Sequence, residues 1–208
     1  MIKIKVCGMV DPVNSGEIAK TAPDFIGFIF YPGSKRYVGK TPDGYLFRNI
    51  PSGILKTGVF VNEEPSLIIE ITSRYGLDLV QLHGNESAEY CNSLREAGLT
   101  IIKAFEISNS FDFMTLNKYS EACEFFLFDA KTGNSGGSGS KFDWTKIDEY
   151  HLEKPFFLSG GIGPEDASLV KQIDHKSLFA VDINSRFEIR PGIKDRDKIE
   201  AFINEIKR

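Results

Sequence analysis

Cysteine is scarce in this chain and follows no pairing pattern. Cys7, Cys91 and Cys123 are an odd number with no CxxC spacing, which excludes a disulfide framework and the usual zinc ribbons. Histidine is as scarce. His83, His151 and His175 form no HxH or HxxxH pair, so no metal-binding face is offered. No apolar run approaches the roughly 20 residues of a membrane span, and no charged-then-apolar leader opens the chain. Basic residues are not in excess: 25 Lys and Arg against 29 Asp and Glu give a formal net charge of −4, the wrong sign for gripping a nucleic-acid backbone. These absences lead to the expectation of a reduced, soluble, cytoplasmic protein without nucleic-acid, membrane or metal partners. The negative charge still allows a local positive pocket for a phosphorylated small molecule.

With 41% hydrophobic and 26% charged residues, a chain of 208 can build one large core, and a single domain over 1–208 is expected. Its beginning sets the pattern. Ile2, Ile4 and Val6 alternate with Lys3, Lys5 and Cys7, the period of a strand with two unlike faces. Gly8 breaks that strand, and Asp11-Pro12 starts a helix, with Asp as N-cap and Pro at the first helical position. Further strand-like runs lie at 24–30, 55–61, 79–83, 100–105, 125–129, 155–158 and 178–182. Between them fall helical stretches at 11–19, weakly at 42–49, at 62–75 before Gly76, at 87–97 before Gly98, at 111–119, around Phe142-Asp143-Trp144, through Gln172, and at 195–206. The run 131–141, rich in Gly and Ser, reads as a loop. Eight strands alternating with helices point to a (β/α)₈ TIM barrel. A doubly wound open sheet, the rival architecture, does not need eight.

In such a barrel the outer strand face meets the helices and the lumen holds polar groups near its mouth. Counting by twos puts Lys3, Lys5 and Cys7 inside, with Gln81 and His83, Leu127 and Asp129, and Ala180 and Asp182 sharing faces. If those faces point inward, a thiol, an imidazole and carboxylates converge at the strand C-termini, where this fold does its chemistry. Cys7 can serve there as nucleophile, ligand or base, and Asp129 as acid, base or ligand. The bland alternatives are a small buried apolar Cys7 and an Asp129 that caps the next loop. Of the three histidines only His83 ends a strand, so it alone could activate Cys7 in a nucleophilic pair. Ser159-Gly160-Gly161-Ile162-Gly163 and Asn184-Ser185 come after the last two strands, the usual phosphate site of this fold. Ser135-Gly-Gly-Ser-Gly139 is a second Gly-rich loop, read as either a flap or a flexible connection. Arg36, after the second strand, can clamp a carboxylate or phosphate through its bidentate fork, or lie solvated on the surface.

The ordered set of short motifs resembles the phosphoribosylanthranilate isomerase family along nearly the whole chain. Lys5-Val-Cys7-Gly8-Met9 is similar to the family's KICG opening. Phe25-Ile-Gly-Phe-Ile-Phe30 with Ser34-Lys-Arg36-Tyr-Val38, Gly58-Val-Phe-Val-Asn62 and Val80-Gln-Leu-His-Gly84 come next in order, then Gly136-Gly-Ser-Gly139 with Phe142-Asp-Trp144, and Pro191-Gly-Ile-Lys-Asp195. The resemblance implies a barrel, a cofactor-free Amadori rearrangement in tryptophan biosynthesis, and a monomer or homodimer. It makes Asp129 the general acid and Cys7, as thiolate, the general base. A thiol needs a lowered pKa for that role, and Lys5, on the same strand face, is a candidate to supply it. Arg36, Gln81, His83 and Asp182 would bind substrate, and Gly160, Gly161, Asn184 and Ser185 its phosphate.

Two departures from the family pattern are visible. Where the family reads D-V-S-S-G-V-E, this chain has Asp182-Ile-Asn-Ser-Arg186-Phe-Glu188, so Arg186 replaces a glycine. Either the loop adapts and Arg186 assists binding, or the phosphate site is altered. Ser138 stands where threonine is common. Three other functions compete. The related isomerase of histidine biosynthesis carries aspartate in place of Cys7; a non-catalytic phosphosugar-binding barrel would not need the facing thiol and carboxylate; a Cys-His hydrolase would form a covalent intermediate.

Overall fold

A computed structural model describes residues 1–130 and 144–208. The expected loop 131–141, with the Gly-rich run 135–139 inside it, and the Phe142-Asp143 start of a helix therefore lie outside the described residues. Eight parallel strands close on themselves: β1 (Lys3–Val6), β2 (Phe25–Ile29), β3 (Leu55–Phe60), β4 (Leu79–Leu82), β5 (Ile101–Ile107), β6 (Phe125–Ala130), β7 (Phe156–Leu158) and β8 (Leu178–Ile183). Closure comes from β8 pairing back onto β1, with Lys5 beside Asp182 and Val6 beside Ile183. The helices are α1 (Pro12–Ala19), α2 (Tyr45–Arg48), α3 (Pro65–Tyr75), α4 (Ala88–Glu96), α5 (Ala167–Lys171) and α6 (Arg196–Lys207).

Local chemistry sets the turns that aim the strand ends. Asp11 accepts from the Asn14 amide at 2.7 Å and Pro12 opens α1. Ser87 caps α4 and Asp195 caps α6 in the same way. Gly76 ends α3 in the left-handed region that a side chain would resist. Two expected helices tighten instead into 3₁₀ turns, Phe113–Tyr119 and Trp144–Glu149. The first of these carries Asn117 and β-branched Thr115, poor α-helix formers, and Asp112 accepts from the Met114 amide two residues on.

Inside-outside parity obeys the alternation. Ile4 and Val6 belong to the large core between barrel and helices, while Phe25, Leu79, Ile102, Ala104, Leu127, Phe157 and Ala180 form a separate apolar plug in the lumen. Lys3 closes that plug with its ammonium over the Phe25 and Phe179 rings. Above the plug the lumen turns polar, at Lys5. After β8 the chain adds a hairpin that strand periodicity did not predict, β9 (Glu188–Arg190) against β10 (Ile193–Lys194). Among the described residues no helix is long and apolar enough to cross a membrane.

Candidate active site

Cys7 sits one residue past β1, held by its own amide donating to the Ile183 carbonyl at 2.9 Å. The next two amides, Gly8 and Met9, both donate to the Gly27 carbonyl. Gly27 must be glycine for a steric reason: a Cβ there would lie 2.7 Å from the Cys7 sulfur and 3.1 Å from its Cα. Gly8 has φ +82°, and a Cβ on it would strike Arg36 and Asn184. The thiol is therefore seated between β2 and β8 with little room to move, and Cys7 is 3% exposed.

Beneath it the Lys5 ammonium is wholly buried. It donates to Gln81 Oε1 at 2.9 Å and to Asp182 Oδ1 at 3.0 Å, with the Cys7 thiol beside it. Burial pulls the Lys5 pKa down, but Asp182 and Cys7 outweigh it and the group stays above the ordinary lysine range. Burial pushes the Cys7 thiol up; Lys5, and more weakly Lys194, offset this only in part. The expected lowering by Lys5 is thus present but loses to desolvation. Asp182 is also raised, by burial first, against the opposing pull of Lys5.

From Gln81 the contacts run outward to the rim. Its Nε2 lies 2.8 Å from His83 Nδ1, and His83 Nε2 lies 3.3 Å from Asp129 Oδ2. His83 and Asp129 are each about 30% exposed at the mouth, whereas Gln81 and Asp182 are buried below them. Both ring nitrogens of His83 are thus taken up by neighbours other than Cys7, which removes the geometry a Cys-His nucleophile needs. Next to His83, Lys103 and Glu86 form a second buried ion pair at 3.0 Å, one that no motif in the sequence announces.

Arg36 is partly buried and ion-paired rather than freely solvated. Its Nε and Nη2 form a fork on Glu188 at 2.7 and 2.6 Å, and Glu188 also accepts from buried Lys194 at 2.8 Å. Lys194 reaches Asn184 Oδ1 at 2.6 Å, so the side chain of Asn184 is anchored. The sequence signal for this group is the turn dipeptide Pro191-Gly192 between two charged ends, which folds Lys194 back onto Glu188. Burial raises the Glu188 pKa, but Arg36 and Lys194 outweigh it and hold the carboxyl below the ordinary glutamate range.

The sign of that shift makes a prediction. A carboxylate depressed in the folded state stabilises above its unfolded pKa and loses the contribution as pH falls through the folded one. Glu188→Gln should therefore cost about 3–5 kcal/mol at pH 7, since Lys194 loses its buried counter-charge. The gap between wild type and variant should narrow as pH falls through the depressed Glu188 value. Urea unfolding across that range measures it.

Gly160 and Gly161 have φ of +93° and +71°, and the Gly163 amide donates to Asp166 Oδ2 at 2.7 Å. In place of the expected helix through Gln172 the chain forms a 3₁₀ turn, Pro164–Asp166, and only five residues of α5. Any anion held there relies on backbone amides rather than on a long helix dipole. Ser185 opens a 3₁₀ turn, Ser185–Phe187, in which Arg186 needs no positive φ: among described non-glycine residues only Ala22 and Asn62 have one. The loop has adapted to the arginine. Its guanidinium pairs with Glu165 at 2.6 Å, bridging the loops after β7 and β8.

A thiol, an imidazole and a carboxylate gathered over a buried lysine, at the C-terminal mouth of a closed parallel barrel, define a (β/α)₈-barrel enzyme. Residues 4–205 match the family described as N-(5'-phosphoribosyl)anthranilate (PRA) isomerase. An N-(5'-phosphoribosyl)anthranilate isomerase of Parabacteroides distasonis is 45% identical over 98% of this chain and 92% of its own length. The crystal structure of phosphoribosyl anthranilate isomerase from Thermotoga maritima superposes with a TM-score of 0.84 at 38% identity, covering 100% of this chain and 99% of that one. Another solved phosphoribosyl anthranilate isomerase, 35% identical with a TM-score of 0.81 over 100% and 99% of the two chains, is in complex with reduced 1-(o-carboxyphenylamino)-1-deoxyribulose 5-phosphate. The chain belongs to the phosphoribosylanthranilate isomerase family of tryptophan biosynthesis, and the protein is an isomerase.

Proposed function

We propose that this barrel converts N-(5-phosphoribosyl)anthranilate to 1-(2-carboxyphenylamino)-1-deoxyribulose 5-phosphate, with Asp129 as acid and Cys7 as base. The observation that carries the reading is the placement of the two groups on separate strands at one mouth. Asp129 is partly exposed and Cys7 is locked in place between β2 and β8. Asp129 gives its proton to the furanose ring oxygen, the C1–O bond breaks, and the anthranilate nitrogen lone pair forms a C1=N bond. The Cys7 thiolate then takes the C2 proton, and the electron pair moves into a C1=C2 bond as the iminium nitrogen is neutralised. The resulting enolamine tautomerises to the ketone, so atoms and electrons balance without an added redox partner.

Arg36, steadied by Glu188, pairs with the anthranilate carboxylate. Gly160, Gly161, Ser185 and the backbone at Asn184 hold the phosphate. His83 borders the substrate, while Gln81 and Asp182 act from below. The whole chain works as one domain in the cytoplasm, as a monomer or as a homodimer; a dimeric form of the Thermotoga maritima relative supports the second. The test is direct. Purified protein given phosphoribosylanthranilate should change anthranilate fluorescence with saturation kinetics and no added metal or cofactor. Absence of turnover by a folded protein that binds a product analogue would sink the reading.

A further inference from the structure

We infer that Lys5, through Gln81, fixes the tautomer of His83, leaving Nδ1 bare and placing the ring proton on Nε2, toward Asp129. Lysine only donates, so the Gln81 atom 2.9 Å from the Lys5 ammonium is the amide oxygen. The amide nitrogen is then the atom facing His83 Nδ1 at 2.8 Å, and it too only donates. Nδ1 must accept, so the proton of a neutral ring sits on Nε2, 3.3 Å from the Asp129 carboxylate. Lys5 cannot turn away to relax this order, because it is fully buried and also bound to Asp182.

The consequence for chemistry rests on the reading of Asp129 proposed above. An Nε2–H beside Asp129 favours the carboxylate that remains once the acid has given up its proton, so it assists the donation step. Lys5 and Gln81 are positioning residues here, touching the acid only through His83. Other charged groups face the ring. Asp129 stands on β6 and Asp182 on β8, while Glu86, Lys103 and Glu106 share a hollow with His83. Lys103 and Glu86 neutralise each other, and none of these groups donates to Nδ1 in place of Gln81.

Nitrogen-15 NMR of the histidine rings in the full chain tests the inference. The protein carries an internal reference: His175 Nδ1 accepts from the Ser177 amide at 3.1 Å while its Nε2 faces the Tyr150 carbonyl at 2.9 Å. His83, assigned by its loss in His83→Asn, should show the same pattern as His175, with unprotonated Nδ1 and protonated Nε2. Gln81→Glu, which replaces the donor by a second acceptor, should leave the His83 ring protonated on both nitrogens at pH 7. Gln81→Met should mix the two tautomers and lower kcat about tenfold while KM stays within about twofold.

A wild-type His83 protonated on Nδ1 overturns the inference, and that spectrum needs no variant to fold. So does a His83 pattern that stays unchanged in both Gln81 variants while His175 reports an intact fold. The ring state is read without substrate, so its outcome is separate from the isomerase reading. A wild type with the expected ring but no turnover would retain the tautomer and discard the reaction.

Discussion

Cys7→Ala lowers kcat by about 10³-fold and leaves the affinity for a product analogue within about twofold, the signature of losing a general base. The expectation rests on how the thiol is held. Its surroundings exclude water and fix the sulfur between β2 and β8, so removing it deletes one proton acceptor and opens little else. Alanine fills most of that volume without a clash, so the fold should survive. Asp129→Asn should give a loss of similar size, because the amide keeps the shape and cannot supply a proton. The two losses together should be far less than multiplicative, since each alone stops the same sequence of proton transfers. Fluorescence turnover with the two single variants and the double variant measures this. Retention of more than about a tenth of the activity in either single variant would contradict the assigned role.

Much of this site could be read from residue order, because alternation in a barrel strand is a strict rule. Once Ile4 and Val6 are placed against helices, Lys5 and Cys7 have nowhere to go but inward, and the structure has them there. His83 and Asp129 come by the same count from Gln81 and Leu127. The pairings were not legible. Nothing local to Arg36 announces Glu188, which lies 152 positions away and arrives through a short hairpin strand. The electrostatics escape the sequence for a related reason. A lysine two residues from a cysteine on one strand face suggests a lowered thiol pKa, but burial depends on all eight strands and here it dominates. The Arg186 substitution shows a third limit. Sequence comparison says that a glycine is missing, while only the backbone shows that the turn no longer needs one.

Lys5 is the buried cation of the polar layer above the plug, and Lys5→Met should show what its charge contributes. The substitution keeps an unbranched apolar stem and removes the charged end, leaving the Asp182 carboxylate buried without its counter-ion. Breaking one side of a buried pair costs about 3–5 kcal/mol. Asp182 already has a raised pKa with Lys5 present, and without it burial acts unopposed by that cation. A carboxyl raised in the folded state contributes fully below its unfolded pKa, near 3.9, and its contribution is lost as pH rises through the folded value. Lys5→Met should therefore be nearly as stable as wild type at about pH 4 and weaken steadily toward pH 8. Wild type should not fall along that slope as steeply, because the Lys5 ammonium opposes it. Adding Asp182→Asn removes the stranded charge and should restore much of the lost stability at pH 8. Catalysis separates from stability in the same variants. The thiol loses its main offsetting cation, so the ascending limb of kcat should move to higher pH in Lys5→Met whether or not Asp182 is also replaced. A variant that is destabilised equally at pH 4 and pH 8 would mean that the lysine contributes packing rather than charge. In that case the polar layer above the apolar plug would be held by its shape alone.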